Sequence, residues 1–152
     1  MILIDHIQAE WEVDSVIDKN DPNALSVDQL HRKYWDFMIE ARLALIPLQE
    51  DYQIMMAEKE QWMLNPTIEL YREKKWDYPL KVNSEKSKIL KTEVKYYLAR
   101  DKDLLALKHQ ILIVELQIDY VQDILKKIHS RGYLIQSHID LMKFKNGIGG
   151  IR

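Results

Sequence analysis

The sequence predicts an all-α fold of long antiparallel helices with a short irregular or hairpin-like insertion. Three observations carry that expectation. Only four glycines and four prolines occur in 152 residues, and Leu, Ile, Lys and Glu dominate, so turns are few and helix formers many. Apolar residues recur at three- and four-residue spacing over long runs. Each long run is also preceded by a residue suited to capping a helix. The length fits one domain, 1–152.

Taken in order, an acidic amino-terminal segment, 1–22, contains an amphipathic stretch from Ile2 to Val16 and breaks at Asn20-Asp21-Pro22-Asn23. In isolation it has little to hold it still. Ser26 is placed to cap a helix running to Leu64, with Leu30, Tyr34, Phe37, Met38, Ala41, Leu45, Leu48 and Tyr52 on its apolar face. Pro47 is expected to kink this helix, and Asn65-Pro66 to stop it. Over 67–100 lies a basic, aromatic connector. Between Thr67 and Val82 the apolar residues partly alternate with polar ones, which reads as a loop or weak hairpin. Thr92 then caps a short helix through Leu98. Asp101, with Asp103, suits the positive amino end of a second long helix through Ser130, for which Gly132 takes the position after the last turn. A final helix runs from Leu134 to Lys145, closing the carboxy-terminal helices at about 101–146, before the glycine-rich tail.

At ~1.5 Å per residue the two long helices each span roughly 45 to 60 Å, too long for a chain of this size to cover alone. Between Leu104 and Ile128 the apolar residues occupy more than one stripe. That excess, and the cluster of Met55, Met56, Trp62 and Met63, call for self-association. Trp11, Trp35 and Trp62 lie on apolar faces and read as packing residues.

Several chemistries are excluded or disfavoured. There is no cysteine, which removes disulfides, thiol nucleophiles and thiolate metal sites. The first glycine is Gly132, so no glycine-rich phosphate loop exists. Five scattered histidines lack ligand spacing, and Asp101-Lys102-Asp103 reads as helix-end acidity rather than a cation site. No cofactor is called for and an enzyme is not expected. No apolar run approaches the ~18 residues of a membrane span.

The formal net charge is −2, but its layout is polar. Residues 1 to 30 carry −6, residues 72 to 100 carry +5, and residues 126 to 152 carry +5. Within the first basic segment, Arg72, Lys74, Lys75, Lys81, Lys86, Lys88 and Lys91 alternate with Tyr71, Trp76, Tyr78, Tyr96 and Tyr97. Cations neutralise phosphates and rings stack on unpaired bases, the combination that suits a single strand. The plainer alternative is a solvated lysine face over core aromatics.

Several ordered patterns resemble the UvsY recombination mediators of T-even-like bacteriophages. They are Trp11-Glu12-Val13-Asp14-Ser15-Val16-Ile17-Asp18, His31-Arg32-Lys33-Tyr34-Trp35, Tyr97-Leu98-Ala99-Arg100-Asp101-Lys102-Asp103-Leu104, and Lys127-Ile128-His129-Ser130-Arg131-Gly132-Tyr133-Leu134-Ile135 with Phe144 and Gly147. The resemblance implies a non-enzymatic protein in the cytoplasm of an infected host cell. It implies binding to single-stranded DNA as a ring-like homo-oligomer of about six or seven copies. It further implies loading of a RecA-type recombinase onto DNA coated by the phage single-stranded-DNA-binding protein. In that family basic residues near the end of the long amino-terminal helix contribute to DNA binding. Here Lys59 stands there, between Glu58 and Glu60, with Arg72, Lys74 and Lys75 just beyond. The competing reading is a structural helical assembly or chaperone protein with no DNA binding. A helix-turn-helix regulator is disfavoured by the long connector.

Overall fold

A computed structural model describes residues 4–16, 25–78 and 89–147. Every regular element among them is a helix: α1 (Ile4–Asp14), α2 (Val27–Leu64), α3 (Ile68–Lys74), α4 (Val94–Leu98) and α5 (Lys102–Lys145). No helix among the described residues is long and apolar enough to cross a membrane. The chain divides into two compact units, one of residues 1–44 with 114–152 and the other of residues 45–113.

In the first unit α2 starts as expected. Ser26 Oγ accepts from the Gln29 backbone N–H at 3.2 Å, and Gln29 Oε1 accepts from the Ser26 N–H at 2.9 Å. This reciprocal pair satisfies two of the donors that a helix start leaves open. Leu30, Tyr34 and Met38 then fall on one face and are buried with Val121, Ile124, Leu125 and Ile128 of α5. From α1, Ile7 enters the same core, and Trp11 lies edge-on to Tyr34 at 5.4 Å between ring centroids.

Charges tie α1 down. Lys33 pairs with both Glu10 and Asp14, and Tyr34 Oη donates to Asp14 Oδ2 at 2.9 Å. Arg131 donates to the carbonyls of Asp14 and Ser15 at 3.3 and 2.9 Å, supplying donors that the end of α1 lacks. The amino-terminal helix, expected to be loose by itself, is thus docked by both apolar and ionic contacts. The turn at Asn20–Asn23 lies outside the described residues.

Three sequence expectations are corrected here. The helix expected to stop at Ser130 continues unbroken to Lys145, so Gly132 is an interior residue. A glycine there costs helix propensity, but a Cβ at Gly132 would come within 3.2 Å of Val27 Cγ1, so the small residue serves close approach. The left-handed glycine of this region is Gly147, with φ of +73°; its N–H donates to the Phe144 carbonyl at 3.1 Å. Finally, Trp35 is not a core residue: it is 44% exposed and stacks on His31 at 6.0 Å.

In the second unit α2 remains helical through Pro47 and ends at Leu64, before Asn65-Pro66, as read from sequence. The predicted hairpin is corrected over its first half. Residues 68–74 form α3, capped by Thr67, whose Oγ1 accepts from the Leu70 N–H at 3.2 Å. Residues 75–78 form no regular element, and 79–82, the rest of the segment read as a loop or weak hairpin, lie outside the described residues. The short helix through Leu98 is present, but Glu93 rather than Thr92 sits at its cap position. Trp62, Met63, Ile89 and Val94 form the buried cluster of this unit, so two residues of the expected intersubunit cluster are already covered within the chain. Here α2 and α5 run in opposite senses. Lys59 meets Asp101 and Asp103, while Met55, one turn earlier, shares a cavity wall with Leu107 and Gln110.

Candidate nucleic-acid interface

The start of α5 organises the site. Asp101 Oδ1 accepts from the backbone N–H groups of Asp103 and Leu104, each at 3.0 Å, capping the helix as the sequence indicated. The same carboxylate receives Lys59. Its Nζ lies 2.7 Å from both Asp101 oxygens and 2.6 Å from Asp103 Oδ2. An ammonium has three donors, and all three are engaged. Lys59 is 3% exposed, so the residue read from sequence as a DNA contact sits here beneath the surface with no donor left for a phosphate. Two carboxylates compensate the cost of burying its charge.

Over this clasp lies Trp76. Its ring centroid is 5.0 Å from Lys59 Nζ and 5.7 Å from Lys74 Nζ, distances at which a cation is held by the indole π-cloud. A cavity of about 600 Å³ opens beside it, walled by Trp62, Trp76 and Tyr97 together with Lys75, Arg100 and Lys102. Asp77, Asp101 and Asp103 also reach this cavity. The lining holds four cations, Lys59 among them, against Asp77, Asp101 and Asp103, so its net charge is +1, and Lys75, Arg100 and Lys102 are the cations exposed at the rim. Trp62 is 4% exposed, stacked on Tyr71 and edge-on to Tyr78. Its indole N–H has no acceptor among the described residues, an arrangement that costs about 1 to 3 kcal/mol.

Lys75 closes α3 in the left-handed region, with φ 53° and ψ 32°, its N–H donating to the Tyr71 carbonyl at 2.8 Å. It is the non-glycine residue with positive φ among those described. A left-handed residue is a common way to end a helix; here a lysine rather than a glycine takes it, at some cost in backbone strain.

Of the other cations predicted to meet DNA, Arg72 and Lys91 are exposed. Lys74 is partly covered and stands 3.6 Å from Glu58 Oε2. Lys81, Lys86 and Lys88 lie outside the described residues. Tyr96 is 61% exposed, with Lys95 over its ring, whereas Trp76, Tyr78 and Tyr97 are half-buried. The aromatics are thus neither all core nor all surface. Arg100 and Lys102 were missed as site residues, because alternation with Asp101 and Asp103 reads as ordinary helix-end charge. Among the described residues no cluster of His, Asp and Glu is arranged to hold a metal.

A cationic, ring-lined cavity holds the parts that single-strand binding uses, cations for phosphates and ring faces for unpaired bases. The family model described as recombination, repair and ssDNA binding protein UvsY matches residues 10–148, and the chain belongs to that family. Neither the curated proteins nor the solved structures include a match.

Proposed function

We propose that this protein is a phage recombination mediator. It binds single-stranded DNA, assembles as a ring-like homo-oligomer, and promotes loading of a RecA-type recombinase onto DNA coated by the phage single-stranded-DNA-binding protein. It acts in recombination, repair and recombination-dependent replication, in the cytoplasm of the infected cell. Arg72, Lys74, Lys75 and Lys91, together with Lys81, Lys86 and Lys88, contact phosphates, and Lys59 positions the surface from below.

The observation that carries this reading is the positive cavity rim around Trp76 in a chain of a DNA-binding family. Assembly is supported by apolar residues left uncovered on α5: Leu105, Leu112, Ile113 and Leu116 are 43 to 60% exposed, and Tyr133, Leu134 and Phe144 66 to 74%. Large apolar side chains left open along one helix invite cover by another protein surface. Repetition of a modest basic patch around an oligomer multiplies its hold on one strand. A strand held in this way is presented in a form that the coating protein binds poorly, while a separate surface recruits the recombinase.

The test is a fluorescence titration of a labelled single-stranded oligonucleotide at increasing salt, with the native protein and a Lys74→Ala/Lys75→Ala variant. Loss of two phosphate contacts is expected to weaken binding and reduce the slope of log affinity against log salt by about 1.4. Equal affinity and slope in the two proteins would reject the patch. Absence of binding by the native protein would leave only a structural, protein-assembling role.

A further inference from the structure

We propose that the cavity beside Trp76 is a seat for one unpaired nucleobase, so that the protein holds a strand by a base as well as by its phosphates. This rests on the single-strand reading above and assigns that site its ligand chemistry.

Three features point to a ring-shaped, partly polar ligand rather than to an anion alone. First, Trp76 walls two cavities, the one of about 600 Å³ already described and another of about 540 Å³, with Lys75 and Asp103 common to both. The first volume falls in the range of small-ligand pockets, and the second is a shallow, open depression. A half-buried indole bordered by open space on this scale offers a π-surface for stacking. Second, Trp76 is held in place before any ligand arrives. Lys59, locked by Asp101 and Asp103, stands 5.0 Å from its ring centre, and Lys74 stands 5.7 Å away. A platform ordered in advance loses little freedom on binding. Third, Tyr97 and the buried Trp62 line the larger cavity beside Trp76. A flat ring meets such a wall over more area than a compact anion does.

The rim completes the arrangement. Lys75, Arg100 and Lys102 border the larger cavity and are exposed, where they can take the phosphates on either side of the seated base. Stacking is indifferent to base identity, so the seat confers a preference for unpaired strands without reading sequence.

The experiment compares a short oligothymidylate with a strand of equal length whose bases are replaced by abasic tetrahydrofuran units, at one low salt concentration. The full-length protein and a Trp76→Leu variant are both titrated; leucine keeps apolar cover over the neighbouring cluster but has no ring. The native protein is expected to prefer thymidylate by roughly 5- to 100-fold. The variant should lose most of that preference while binding the abasic strand as tightly as the native protein does. Equal binding of the two strands by the native protein overturns the seat and leaves phosphate binding standing. Failure to bind either strand overturns the single-strand reading itself. A preference unchanged by Trp76→Leu also overturns the seat. Photocross-linking of the native protein to a strand containing 5-iododeoxyuridine needs no variant: adducts at Trp76 or Tyr97 support the proposal, and adducts confined to other residues defeat it.

Discussion

Each of the two units contains a lysine held between two carboxylates, and the difference between these lysines separates scaffold from site. Lys33 pairs with Glu10 and Asp14 at a side-chain exposure of 25% and fastens one helix to another. Lys59 pairs with Asp101 and Asp103 at an exposure of 4% and faces an indole at the edge of a cavity. The first lies at the solvated edge of a filled core, in which Tyr34 and Val121 are fully enclosed. The second lies under open volume, beside a strained backbone and an unpaired indole N–H. The same ion-pair chemistry therefore serves packing in one place and the holding of a binding surface in the other.

The sharpest way to break that comparison is to remove each ammonium. Lys59→Met leaves two carboxylates facing apolar surroundings. Because Asp103 is 57% exposed and water can reach it, the expected loss is about 3 kcal/mol, at the low end for orphaning a buried partner. Lys33→Met is expected to cost about 1 kcal/mol, as suits a partly solvated pair. Urea denaturation of the two variants measures the difference, and equal losses would erase the distinction drawn between them.

A smaller effect is expected at Lys75. Lys75→Gly relieves the positive φ and should gain up to about 1 kcal/mol in stability, yet weaken oligonucleotide binding and lower the salt slope by about 0.7. Opposite signs in stability and affinity would show that the strain belongs to the site. A loss in both would mean that the left-handed turn is merely tolerated.

The smallest expected effect concerns alkaline pH in the first unit. Burial by itself would pull Lys33 down, but hydrogen bonds to Asp14 and Glu10, with their charges, outweigh it and hold the ammonium above the ordinary value of 10.5. Burial, and then the hydrogen bond to Asp14, push the Tyr34 phenol far above its ordinary 10.0. Both groups retain protons in the folded state at pH values where the unfolded chain releases them. Their stabilisation is therefore complete below about pH 10 and lost as pH rises beyond it. Thermal melts followed by circular dichroism at about pH 8 and about pH 11 should show a drop that Tyr34→Phe reduces. An identical drop in the variant would assign the alkaline loss elsewhere.

What could be read from sequence followed the range of the interactions involved. Ser26 with Gln29, Asp101 with Leu104, and the stop at Asn65-Pro66 are decided within four residues, so their chemistry is visible in a line of letters. Gly132 misled because a glycine that ends a helix and one that admits a neighbouring side chain are written identically; the contact with Val27 that distinguishes them crosses more than a hundred positions. Helix α3 escaped notice because seven residues span only two turns, too short for a 3.6-residue period to stand out against the alternation at Trp76 and Tyr78. At the site, the basic and aromatic residue types were legible, but their depth was not. Lysines are normally solvated, and nothing near Lys59 in the sequence announces that Asp101 and Asp103 wait 42 and 44 positions away. Glu58 and Glu60 beside it pointed instead toward a solvated, locally neutral surface.

The Lys59–Asp101 contact has a further consequence for how this chain can change. It closes a loop of 42 positions, and the entropy of closing a loop grows only logarithmically, by about 0.6 kcal/mol for each doubling of length. Insertions and deletions between the clasped ends are thus thermodynamically mild, provided the small cluster around Trp62 and Val94 survives. The stretch that carries the cations and rings is in effect a cassette, open to rewriting over evolutionary time or by an engineer, while the long rods on either side keep their registration.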